Sequence, residues 1–180
     1  MIVNFSPFPE LATKRLVLRE IHIADAPRIH ELRSDEVTNA LIDRATSGSI
    51  KDALLFIDRI KNNVSQNDGF YWVICFENTS GLIGTIGYWN FDLAAETAEI
   101  GYELLTSFRR KGIMSEVLPR IIQFGFEQMK LKSITAFTTE QNISSVKLLE
   151  KFKFKLSSSD YDSSGQHVPG MLAFILTNPF

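Results

Sequence analysis

Apolar positions recur along this chain at two spacings, and the switches between them mark out the elements. Leu16 and Leu18 alternate against Arg15, Val17 and Arg19, which predicts a first strand over residues 13–20. Asp25 precedes Ala26-Pro27, a cap followed by proline in the first helical turn, and predicts a helix to about residue 33. After Ser49, Ala53, Leu54, Ile57, Ile60 and Val64 share one helical face, and Asn67-Asp68-Gly69 reads as a turn. Aromatic and branched residues fill 70–76, and Asn78-Thr79-Ser80-Gly81 is a hairpin turn into a partner strand over 82–89. A further strand is expected over 97–105. From Gly112 the helical period returns at Ile113, Val117, Ile121, Ile122, Phe126 and Met129, predicting a long helix over 112–130. Pro119 lies inside it and removes one helical hydrogen bond, so a kink or a late start is expected there. A short strand over 133–139, a helix over 142–151 and two closing strands near 154–160 and 171–176 complete the pattern. Strands alternating with helices in the middle and paired strands elsewhere predict an α/β (α+β) fold with a mixed sheet covered by helices.

Composition narrows the function classes. The 180 residues show neither repeats nor a linker, so a single domain over 1–180 is expected. A net charge of −2 gives the chain as a whole no attraction for nucleic acid. Cys75 is the single cysteine and sits in an apolar run, which suits a buried small hydrophobe and rules out an internal disulfide framework. His22, His30 and His167 show no ligand pattern, so no metal is expected. The start of the chain lacks the basic and apolar regions of a signal peptide, and no apolar run is long enough to span a bilayer. A cytoplasmic protein without a membrane partner is the expectation.

One loop stands out. Ser107-Phe108-Arg109-Arg110-Lys111-Gly112 joins a strand to a helix, so three cations run into a glycine just where unpartnered helical N–H groups begin. A glycine lets a bulky anion approach that backbone, and the arrangement suits a ligand with several phosphates. The other reading is a solvated basic turn before an ordinary helix. The pattern of a P-loop is absent, since Gly112 is followed by Ile113 and Met114.

Arg109-x-x-Gly112-x-Met114 resembles the Gln/Arg-x-x-Gly-x-Gly/Ala signature of the GCN5-related N-acetyltransferases (GNAT). Four other stretches match that family in order and spacing: Thr13-Lys14-Arg15-Leu16-Val17-Leu18-Arg19, Leu82-Ile83-Gly84-Thr85-Ile86-Gly87, Ala98-Glu99-Ile100-Gly101-Tyr102, and residues 142–151 from Asn142-Ile143-Ser144-Ser145 onward. The resemblance covers nearly the whole chain and is strongest to the branch of the ribosomal-protein alanine N-acetyltransferases (RimJ/RimL-like). It implies a central sheet of about six to seven strands, splayed at the site of acetyl-CoA, the co-substrate. It further implies pyrophosphate binding at Arg109, Arg110, Lys111, Gly112, Ile113 and Met114, and strand-like pairing of pantetheine with the main chain around Glu103, Leu104 and Leu105. By the same resemblance Asn142 contacts pantetheine and Ser145 donates to the departing thiolate; the alternative for both is a helix cap and its first turn. The chain departs from the pattern at Met114, where a small residue is commoner. It departs again at Leu149, where relatives outside the branch carry a tyrosine acid, and at Phe152-Lys153-Phe154, where Leu-Gly-Phe is usual.

The residues themselves nominate Glu99 to deprotonate or position an amine. A carboxylate amid Ala98, Ile100 and Tyr102 is costly to bury without a partner, and burial raises its pKa toward a useful range. A carboxylate paired with a neighbouring arginine is the structural alternative. Asp92, Glu96, Glu99 and Glu103 are either a preference for a cationic acceptor or a solvated strand end, and Tyr88 or Trp89 is a candidate wall of the acceptor pocket. No residue reads as an activated nucleophile, which favours direct transfer without a covalent enzyme intermediate. The branch resemblance implies a protein N-terminal α-amine as acceptor, and homodimers are common in that branch. The alternatives are a small amine, such as an antibiotic or a polyamine, or a non-catalytic CoA-binding module.

Overall fold

A computed structural model of the chain describes residues 1–42 and 46–179. Its strands are β1 (Leu11–Ala12), β2 (Leu16–Glu20), β3 (Phe70–Phe76), β4 (Gly84–Asp92), β5 (Thr97–Leu104), β6 (Ser133–Thr139), β7 (Lys155–Tyr161) and β8 (His167–Thr177). The helices are α1 (Ala26–Ser34), α2 (Glu36–Ile42), α3 (Ile50–Ser65), α4 (Ile113–Gln123) and α5 (Ile143–Lys151). All eight strands join one mixed sheet in the order β1-β2-β3-β4-β5-β6-β8-β7, antiparallel except between β5 and β6. The alternation of side chains gives the sheet two apolar faces. Leu16, Leu18, Trp72, Ile86, Ala98 and Ile100 pack on α4, while Val73 joins Ile29, Leu32, Phe56 and Ile57 of α1 and α3 on the other face.

Three features go beyond the periodic pattern. The eighth strand, β1, is two residues long, too short to show an alternation. Helix α2 follows α1 at once, and Asp35 caps it by accepting from the Val37 and Thr38 N–H groups. Helix α4 starts at Ile113 and runs through Pro119, so there is no late start; it widens afterwards into a π-helical turn, Phe124–Gln128. The Tyr88 hydroxyl donates to the Ile121 carbonyl at 3.1 Å beside this widening. Among the described residues no helix is long and apolar enough to cross a membrane, and no cluster of side chains suits a metal ion.

Candidate active site

Strands β5 and β6 pair only at Thr97–Ser133, Ala98–Ile134 and Glu99–Thr135. Beyond Glu99 they part, while β5 stays paired with β4 and β6 with β8. The gap opens a cleft of about 960 Å³ whose lining includes Glu99, Tyr102, Glu103, Asn142 and Ser145. Main-chain polar groups alternate sides along a strand. The Ala98 carbonyl accepts from Thr135 Oγ1 on β6, whereas the Leu105 N–H donates to the Ile83 carbonyl beside β4. The alternation therefore turns the main chain of Ile100, Tyr102 and Leu104 toward the gap, and that of Glu103 and Leu105 toward β4. Of the three positions expected to pair with pantetheine, only Leu104 has its main chain at the gap. Leu105 is committed elsewhere: its side chain is buried and its carbonyl accepts from Phe108 N–H.

Glu99 lies on the α3 side of the sheet with only 9% of its surface exposed. Among the described residues no arginine pairs with it. Its Oε2 accepts from Asn90 Nδ2 at 2.8 Å, and burial pushes its pKa up against weaker lowering by hydrogen bonds from Asn90, Ser163 and Trp89. A neutral partner satisfies the carboxylate without neutralising it, so it stays basic. Trp89 faces Glu99 across the ladder, and its ring covers Gly101, where any Cβ would overlap the indole. Glycine is thus required between Glu99 and Glu103. The hairpin β7–β8 adds Asp162 and Ser163 to the same cleft. Sequence reading missed both; the available signal was the Asp162-Ser163-Ser164-Gly165 turn, in which Asp162 accepts from the N–H groups of Ser164 and Gln166.

The acidic run near β5 divides by position. Glu99 and Glu103 line the cleft, whereas Glu96 pairs with Lys132 Nζ at 2.8 Å and with the amino group of Met1, and Asp92 accepts from Ala94 and Ala95 N–H groups. Both Tyr88, fully buried, and Trp89 line the cleft, and Trp89 is the one that faces Glu99 across the ladder.

On the opposite wall, Asn142 caps α5: its Oδ1 accepts the Ser145 N–H at 3.2 Å. That uses one end of the amide and leaves Nδ2 for another acceptor. Ser145 sits one turn into the helix and neighbours the Tyr102 hydroxyl. The far end of α5 keeps its turn without glycine. Lys153 adopts φ +68°, and Phe154 N–H returns to the Leu149 carbonyl at 3.0 Å.

The basic loop lies after β5, outside the residues that line this cleft. Gly112 holds φ +74° with open space around its missing side chain, and no side chain caps α4. Ile113 and Met114 turn inward, 1% and 8% exposed, so the bulk of Met114 is absorbed by the core and the loop's main chain faces out. Arg110 and Lys111 are exposed, with Arg110 at φ +60°. Arg109 is held instead by the protein. Its guanidinium pairs with Asp35 at 3.0 Å, bonds Thr38, and reaches the Leu104 carbonyl at 3.3 Å. Glu116 braces the helix start by accepting from Thr13 Oγ1 at 2.6 Å, Arg15 N at 2.9 Å and Arg15 Nε at 2.7 Å. These contacts explain the Thr13-x-Arg15 stretch as scaffold for the loop. A bulky polyanion fits here: main-chain N–H groups, exposed cations and no obstructing Cβ coincide.

The profile of the Acetyltransferase (GNAT) domain matches residues 15–155. The chain is 33% identical over 148 residues to the uncharacterised N-acetyltransferase YoaA of Bacillus subtilis, covering 82% of this chain and 84% of that one. Among solved structures it resembles the ribosomal-protein-S5-alanine acetyltransferase of Vibrio fischeri at 20% identity, with a TM-score of 0.80 over 95% of this chain and 97% of that one. RimL, a ribosomal L7/L12 α-N-protein acetyltransferase solved with coenzyme A, superposes with a TM-score of 0.76 at 17% identity, covering 94% and 98% of the two chains. The overall fold is thus a known one, and the chain belongs to the GNAT family of N-acetyltransferases.

Proposed function

We propose that this enzyme transfers the acetyl group of acetyl-CoA directly to a primary amine, with a protein N-terminal α-amine as the preferred acceptor. The observation that carries this reading is the β5–β6 gap, which opens one cleft to a buried carboxylate on one face of the sheet and a hydroxyl wall on the other. In this reading the N–H groups from Arg110 to Met114 hold the pyrophosphate, with Arg110 and Lys111 adding charge. Arg109 fixes the loop. The exposed edge of β5 at Tyr102 and Leu104 pairs with the amides of the pantetheine arm, and Asn142 Nδ2 meets one of their carbonyls.

Glu99 takes the proton of the amine, directly or through one water. An α-amine has an ordinary pKa near 8, so a base of modest strength is enough. The C–N bond forms at the thioester carbon, the C–S bond breaks, and Ser145 donates to the departing sulfur. Cys75 takes no part in this: it is 3% exposed, its thiol points at the Val17 carbonyl, burial pushes its pKa up, and it lies outside the cleft. Direct transfer follows. For the acceptor, Glu99, Glu103 and Asp162 in the cleft favour an ammonium group on arrival. The printed activities of the RimL and S5-alanine neighbours are the support for a protein N-terminus.

The test is competition. Acetyl-CoA is supplied with a panel of N-terminal peptides of varied first residue against small primary amines, and acetylation is read by mass. Preferred acetylation of peptide α-amines is expected. Turnover of small amines alone overturns the acceptor, and acetyl-CoA binding without turnover of any amine overturns catalysis.

A further inference from the structure

The hydroxyl of Tyr102 is a buried polar group that the scheme above does not use. Its oxygen is shielded from solvent, makes no hydrogen bond of good geometry among the described residues, and has Ser145 as its polar neighbour. Beside Ser145, a buried hydroxyl without a well-made hydrogen bond carries a desolvation cost of up to about 1–3 kcal/mol, which an acceptor placed in the cleft would offset. Thr138, across the gap on β6 and 6% exposed, presents a second buried hydroxyl without a partner. Both line the same cleft as Ser145. The two walls of the gap therefore each bring a buried hydroxyl to the lining of one cleft.

Strand geometry adds a direction. Glu99 and Tyr102 are three residues apart on β5, an odd separation, so their side chains leave opposite faces of the sheet. An amine that loses its proton to Glu99 approaches the thioester carbon from the α3 side, and the leaving sulfur departs on the α5 side. We propose that Tyr102 is a second hydroxyl donor beside Ser145, hydrogen-bonding the thiolate of coenzyme A as the C–S bond breaks. This rests on the acetyl-transfer reading above.

The balance is simple. The amine nitrogen forms the new C–N bond and its proton goes to Glu99. The electron pair of the C–S bond stays on sulfur, and Tyr102 lends a hydrogen bond without surrendering its proton. Burial pushes the Tyr102 pKa up to about 12, far above the ordinary thiol value near 8.5, so the proton remains on oxygen throughout. The thiolate is protonated by water after release. Such a donor explains how the chain works with Leu149 where other branches place a tyrosine: the phenol comes from β5 instead of α5.

The experiment uses free coenzyme A, so it needs no acceptor. The acidity of the bound thiol is followed by thiolate absorbance against pH for the wild type, Tyr102→Phe and Ser145→Ala, alongside calorimetric binding at low pH. The wild type is expected to make the bound thiol about tenfold more acidic than the free thiol, and Tyr102→Phe to lose most of that gain with binding at low pH unchanged. With acetyl-CoA, kcat of Tyr102→Phe should fall about 10- to 100-fold while KM for acetyl-CoA holds. Phenylalanine keeps the ring packing, so an unchanged melting curve separates the hydroxyl from a structural role. A bound thiol equally acidic in wild type and Tyr102→Phe overturns the proposal alone. A wild type that binds no coenzyme A overturns it together with the acetyl-transfer reading.

Discussion

Replacing Glu99 by glutamine separates the demands of folding from those of chemistry at one side chain. Glutamine keeps the volume and can still accept the Asn90 Nδ2 hydrogen bond, made at 2.8 Å, so the cleft should hold its shape. What disappears is a charge and a proton acceptor. A positioned general base is worth about 10²- to 10⁴-fold. For an α-amine with pKa near 8, roughly a tenth is already neutral at pH 7, so the lower end applies and kcat should drop about 100-fold. The variant's rate should then climb about ninefold from pH 6 to 7 and about fivefold from pH 7 to 8, as the amine deprotonates unaided, while wild type changes less.

Stability should move the opposite way. Burial raises the folded pKa of Glu99 above its ordinary 4.5, so the folded state binds the proton more tightly than the unfolded chain. The stability tied to the protonated form is fully present below pH 4.5 and is lost as pH rises through the folded pKa. At pH 7 the wild type carries a buried carboxylate that Glu99→Gln lacks. The variant should therefore melt at a higher temperature at pH 7 and at the same temperature as wild type near pH 4. Steady-state kinetics across pH, with thermal melts on the same samples, read both effects. A variant that turns over within twofold of wild type at every pH, or melts lower at pH 7, refutes the reasoning.

Other perturbations probe the scaffold. Gly112→Asp places a carboxylate at φ +74°, a conformation aspartate tolerates better than most residues, and should weaken acetyl-CoA binding at least tenfold by calorimetry, with the melt little changed. Lys153→Gly relieves a left-handed lysine at φ +68° and should stabilise the fold by about 1 kcal/mol, raising the melting temperature by about 2–4 °C without altering kcat. Asp35→Asn removes the carboxylate shared by Thr106, Thr38 and Arg109, whose pKa those contacts lower to about 2, led by the Thr106 hydroxyl. Its stabilisation is present above the ordinary 3.8 and is lost as pH falls toward 2, so wild type and variant melts should converge there, while acetyl-CoA affinity at pH 7 drops. Gly101→Ala forces the Trp89 ring off its seat beside Glu99, and should lower kcat more than it changes acetyl-CoA binding.

The chain's own periodicity determined most of the architecture. Alternation marked β2 through β6, the three-to-four spacing marked α3, α4 and α5, and a glycine after three cations marked the anion loop, because each of these signals is local to a few turns or one strand. Glu99 was legible for the same reason, as a carboxylate set amid apolar neighbours. The two-residue β1 and the short α2 carry too few residues to display a period. Other features arise only between segments distant in sequence. Asn90 meets Glu99 because of the β4–β5 register; Asp162 and Ser163 arrive on a hairpin some sixty residues later. Whether β5 offers Glu103 or its neighbours to the gap depends on strand direction, which spacing does not reveal. Arg109 reads as a phosphate ligand in the sequence, yet α1 and α2 bring Asp35 and Thr38 to claim it. The parting of β5 from β6 after Glu99 is likewise tertiary: β4 and β8 hold their own partners, and the sheet opens where no residue on either strand announces it.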